Sequence, residues 1–130
     1  MKKVKNILML CLAVLAVCLA GCQKFQPATV ELKSCTAQGK TMTGSAIVTD
    51  NGGCTYFIEQ GFCYSIFDKL SLSDVYTTSE IINKSTYDEE FEWTYDLPMI
   101  DTVYYVCAYV KTNAGVSYSE TIPVSTSTNN

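Results

Sequence analysis

The stretch from Tyr104 to Gly115, Tyr-Tyr-Val-Cys-Ala-Tyr-Val-Lys-Thr-Asn-Ala-Gly, constrains the fold of this chain more than any other. Tyr104, Val106, Ala108 and Val110 alternate with Tyr105, Cys107, Tyr109 and Lys111. An extended strand here has one mainly aliphatic face and one face free to meet water or a neighbour, which predicts a half-buried β-strand. Thr112-Asn113-Ala114-Gly115 then supplies residues that tolerate a turn, and Val116 to Pro123 resumes a β-like pattern, so a hairpin is expected.

The rest of the chain breaks into similar short runs. Ala28 to Leu32 reads as a first strand and Thr41 to Val48 as a second, ended by the turn Thr49-Asp50-Asn51-Gly52-Gly53. Tyr56 to Ser65 reads as a third, and its Gly61-Phe62-Cys63-Tyr64-Ser65 is apolar enough for the centre of a sheet. Residues 66–87 are rich in Ser, Thr and Asp, with Leu70, Leu72, Val75, Ile81 and Ile82 scattered among them, which suits an edge strand and a long loop. Phe91, Trp93, Tyr95 and Leu97 alternate with Glu92, Thr94 and Asp96 and predict an amphipathic strand that Pro98 ends. No run beyond residue 21 has an apolar period near 3.6, so almost no helix is expected. The expectation is an all-β antiparallel sandwich of about seven strands.

The start of the chain has a different character. Lys2, Lys3 and Lys5 precede an apolar run from Ile7 to Leu19, the layout of a leader segment that is later removed. The run is short for a membrane-spanning helix, so an uncleaved signal anchor is the weaker alternative. Leu19-Ala20-Gly21-Cys22 resembles the lipobox of bacterial lipoproteins, whereas Cys11 and Cys18 follow the bulkier Leu10 and Val17. The resemblance implies a signal peptide over 1–21, lipidation of Cys22 and a short tether over 22–27. It also implies attachment to a membrane by acyl chains, about 0.8 kcal/mol for each buried methylene. Gln23 in place of Asp implies the outer membrane, facing either the cell surface or the periplasm.

Without residues 1–21 the chain has six Lys against thirteen acids, a formal charge of −7, and neither Arg nor His. That balance argues against nucleic acid and anionic headgroups as partners. About 109 residues suit one domain with a modest core.

Phe91, Trp93, Leu97, Pro98, Thr102, Tyr104, Val106, Ala108 and the Asn113-Ala114-Gly115 turn resemble the end of a fibronectin type III module. Asp50-Asn51-Gly52-Gly53 and Gly61 to Ser65 resemble the variant found in bacterial surface lipoproteins. The likeness covers 28–124 and leaves 125–130 as a polar tail. It departs where Pro98 follows Leu97 directly, where Thr102 comes one residue late, and at Cys107. It implies an immunoglobulin-like sandwich, with Tyr104 as a corner tyrosine bonded to backbone upstream and Trp93 in the core. It also implies neighbouring strands for Cys63 and Cys107, which makes them the candidate disulfide, although Cys63 serves equally well as a small core residue.

Chemistry is sparse. Without His no Ser-His-Asp or Cys-His arrangement exists, and no CxxC spacing favours zinc. Asp88-Glu89-Glu90-Glu92 lacks the spacing and glycine of a calcium loop and reads as a solvated acidic stretch. Neither an enzyme, a cofactor nor a metal is expected. The expected role is a lipid-anchored, noncatalytic envelope module that binds a protein or glycan, or else a structural spacer or minor subunit of a surface assembly. The candidate contact residues are Tyr105 and Tyr109, on the second face of their strand, and Asn113, with the loops at Gly52-Gly53 and Asn113-Gly115. Cross-strand packing is the competing account of both tyrosines.

Overall fold

The computed structural model of the chain describes residues 25–54 and 56–128. The expected leader 1–21, the lipidation candidate Cys22 and Gln23, on which the outer-membrane expectation rests, lie outside the described residues. Eight strands follow one another: β1 Thr29–Gln38, β2 Thr41–Asp50, β3 Glu59–Ser65, β4 Thr78–Lys84, β5 Glu90–Asp96, β6 Val103–Thr112, β7 Gly115–Tyr118 and β8 Ile122–Ser125. They form two antiparallel sheets, one in the order β1-β2-β5, the other in the order β4-β3-β6-β7 with β8 also paired to β6. Among the described residues no helix is long and apolar enough to cross a membrane.

Alternation makes the two sheets adhere. Met42, Gly44, Ala46 and Val48 on β2, Phe91 and Trp93 on β5, Phe62 and Tyr64 on β3, and Tyr104, Val106, Ala108 and Val110 on β6 are all buried. Removing that apolar surface from water stabilises the sandwich by about 25 cal/mol per Å². Large and small residues interlock within it. Gly44 pairs with Trp93 across the strands, and a β-carbon at Gly44 would lie 3.0 Å from the Phe62 ring. Phe62 is therefore able to stack on Trp93 at 5.2 Å with 17° between the planes.

The expected strands are present with changed limits. β1 runs on to Gln38, through Lys33, Ser34 and Thr36, because an edge strand needs little apolar content once β2 supplies its backbone partners. β3 begins at Glu59 rather than Tyr56. The run after Gly115 divides into β7 and β8, which lie along successive parts of β6. At the division Ser119 N–H donates to Ala108 O, and Ser119 Oγ accepts from Ala108 N–H, so a hydroxyl replaces a backbone acceptor where the strand breaks. The folded body also outlasts the expected limit at 124. Thr126 is buried, its N–H donates to Thr102 O, and its Oγ1 accepts from Thr102 N–H.

Tyr104 is buried and its hydroxyl accepts from Met99 N–H at 3.0 Å, which ties the loop before β6 to the strand. Trp93 lies in the inter-sheet core as expected.

Candidate binding site

The second face of β6 is not free. Tyr105, Cys107 and Tyr109 point away from the inter-sheet core, opposite Ser65, Cys63 and Gly61 of β3. The loop 66–77 folds back across this face, and Leu70 and Leu72 pack on Cys63, Cys107 and Tyr109 as a second, smaller core. Many local bonds hold the loop in place. Ser65 Oγ donates to Tyr76 O and accepts from Phe67 N–H, and Leu72 N–H reaches across to Tyr118 Oη on β7. Asp74 Oδ1 accepts from Tyr76 N–H, and Thr77 N–H donates to Asp74 O.

Tyr109 is consequently 0% exposed and has no ring surface to offer a ligand, contrary to the expectation that it lines an open face. Its hydroxyl donates to Glu59 Oε2 at 2.8 Å. Burial, reinforced by that bond and the Glu59 carboxylate, holds the phenol above its ordinary ionisation range. The cross-strand account applies to this residue. Tyr105 is half-buried between Ser65 and Pro123, and Asn113 is exposed in the turn beyond β6. The two lie near opposite ends of β6, about 25 Å apart at roughly 3.3 Å per residue, so the structure does not bring them together.

Cys63 and Cys107 are direct cross-strand partners and both are buried. Ala108 spends its backbone groups on the β7 side, which turns those of Cys107 towards β3 and makes Cys63 and Cys107 a hydrogen-bonded pair of the ladder. Both are free cysteines in the structure. The adjoining Cys107 thiol and burial push the Cys63 thiol above its ordinary range.

Other residues come together instead. At the end where β3 stops and β6 begins, the covering loop leaves Ile66, Phe67, Val75 and Tyr76 exposed, with the Phe67 and Tyr76 rings edge to face at 5.3 Å. Met99, Ile100 and Val103 are exposed at the same end. Sequence reasoning missed this group because its members are dispersed through Ser- and Asp-rich segments. Only the hydrogen bonds of the folded loop assemble them.

At the opposite end Gln26 N–H donates to Gly52 O at 2.9 Å, and Phe25, Cys54, Tyr56 and Asn113 line a shallow hollow of about 80 Å³. A larger hollow of about 280 Å³ on the flank is lined by Glu31, Leu32 and Glu120. Of the acidic stretch, Glu90 pairs with Lys33 at 3.0 Å, and the Asp88 backbone makes two bonds with the Gln60 amide. Among the described residues no group of three or more His, Cys, Asp or Glu side chains is placed to hold a metal ion. No family model matches the chain, and no curated protein matches it.

Proposed function

We propose that this chain is a lipid-anchored, noncatalytic module of the bacterial cell envelope that grips a protein partner through the end bearing Phe67, Val75 and Tyr76. The anchor rests on Leu19-Ala20-Gly21-Cys22 and the basic, apolar leader before it. An immunoglobulin-like sandwich of the fibronectin type III kind is supported by the separation of β1-β2-β5 from the β3-β6 sheet and by the Tyr104 bond to Met99. The outer membrane is the location that Gln23 favours.

One observation carries the binding role. A loop fixed by its own hydrogen bonds holds Val75 at 87% and Tyr76 at 67% exposure, at the end of the sandwich remote from the Gln26 to Gly52 contact. Ordering large apolar side chains in water is unfavourable unless a partner covers them. Asp68, Asp74 and Asp101 stand in the same loops, so the partner surface is apolar with a basic rim, which suits a protein better than a glycan. A spacer or assembly subunit is the second reading. The ten-residue edge strand β1, which an exchanging chain can replace, favours it.

Site-specific photocrosslinking in intact cells tests the reading. A discrete adduct from a probe at position 76, absent from a probe at 113 and competed away by excess soluble domain, is expected. Equal adducts from both positions, or none, would overturn it. Polymerisation that rises with concentration would favour the subunit instead.

A further inference from the structure

We propose that the end of the sandwich carrying Phe25 and Tyr56 is a membrane-seating surface, and that its occupant is the bilayer holding the lipidated Cys22. The inference rests on the lipidation reading and goes beyond it, since an acyl anchor by itself leaves a domain free to tumble on its tether.

The tether is short because the fold captures the chain early. Gln26 N–H donates to Gly52 O at 2.9 Å. The turn that receives it is fixed from within, as Asp50 Oδ1 accepts from Gly52 N–H, Asn51 Oδ1 from Gly53 N–H, and Asn51 O from Cys54 N–H. Gly52 has φ +66°, and a β-carbon there would overlap the Gln26 carbonyl, so only glycine lets the incoming chain lie against the turn. Between Cys22 and Gln26 stand only Gln23, Lys24 and Phe25. Even fully extended, the four steps from Cys22 to Gln26 reach at most about 14 Å at 3.6 Å per residue. The ten residues of β1 run about 33 Å away from that point at 3.3 Å each. The Gly52 end therefore stays within about 14 Å of the anchor, and seating it on the headgroups lifts the Tyr76 end away from them.

The chemistry of this end fits the interface. Phe25 and Tyr56 flank the hollow with Cys54 and Asn113, and the two aromatic side chains are 55% and 51% exposed. Tyrosine prefers the headgroup level, and an exposed phenylalanine beside it adds apolar contact with the acyl boundary. Asp50, Glu59, Asp88 and Glu89 outnumber Lys84 and Lys111 among the described residues of this end, so attraction to anionic lipid is weak and the aromatic pair provides the contact.

Tryptophan quenching by brominated phosphatidylcholine tests this on the full lipidated chain in vesicles, with intact mass verifying the acyl groups on Cys22. Wild type supplies the baseline, because its sole tryptophan, Trp93, is buried. Phe25→Trp and Tyr56→Trp are expected to raise the quenched fraction about twofold, insensitive to salt, while Tyr76→Trp leaves it at baseline. A correctly lipidated protein in which positions 25 and 56 quench no more than position 76 would overturn the seating and leave the anchor standing. Mature protein without acyl groups would overturn both.

Discussion

Cys63 and Cys107 face each other directly across β3 and β6 as a backbone hydrogen-bonded pair, and their side chains pack together beneath Leu70 and Leu72. Pairs of this type keep their β-carbons about 5.5 Å apart, whereas a disulfide draws them to about 3.8 Å. The ladder itself thus favours two thiols over a bridge. Purified protein denatured without reductant is expected to take up alkylating reagent at both positions, and native protein at neither during a brief pulse. A mass lower by two hydrogens on the peptides joining Cys63 and Cys107 would contradict this.

Leu72 and Tyr76 belong to one loop but have opposite duties. Leu72→Ala strips cover from the second core and is expected to cost about 1–2 kcal/mol in urea denaturation. Phe67→Ala with Tyr76→Ala removes exposed rings, so stability should change by only about 0.5 kcal/mol while partner crosslinking disappears. The opposite pattern would mean that the exposed rings serve the fold.

Gly61 admits no side chain. A β-carbon there would overlap Glu80 O on β4 and lie 3.0 Å from the Tyr109 ring. Gly61→Ala is expected to cost about 1–3 kcal/mol and to loosen β4, read as faster amide exchange over Thr78 to Lys84. Unchanged exchange in β4 would refute the assignment.

Alkali should weaken the fold. Tyr109 is raised by burial and its bond to Glu59, Tyr64 by burial and its bond to Tyr95, and burial pushes the Cys35 thiol up to about 11. Each group keeps its proton in the folded state at a pH where the unfolded chain has lost it, so stability falls with rising pH between the two values. Their contribution is complete below about pH 9 and declines above it, through about pH 10 for the tyrosines. Urea midpoints measured from neutral to strongly alkaline pH should show that decline, and Tyr109→Phe should flatten it. A midpoint that climbs with alkali would reverse the sign.

The core was legible where period two governs. Phe91 with Trp93, and Tyr104, Val106, Ala108 and Val110, recur so regularly at every second position that their strand, face and burial follow from spacing alone. Tyr109 was not legible, since alternation reports only which face a residue joins. The cover over that face consists of Leu70 and Leu72 in a polar segment without period, held by Ser65, Asp74 and Tyr118 through bonds that span up to 46 positions. The half of β1 beyond Leu32 escaped for the converse reason, because backbone pairing to β2 sustains residues whose side chains give no signal. The candidate site is assembled by the hydrogen bonds of the folded loop rather than by a motif.

The loop that roofs the outer sheet also divides the molecule's cooperativity. The bonds it makes beyond its own ends, such as that to Tyr118, are few, while the inter-sheet core has packing of its own. Such a segment can detach as a unit at lower free energy than global unfolding. Each opening would bare Tyr109 and two thiols for a moment and leave the sandwich intact. Such openings would give this domain two exteriors in turn, one closed under Leu70 and Leu72, one brief and bearing Tyr109 and the two sulfur atoms.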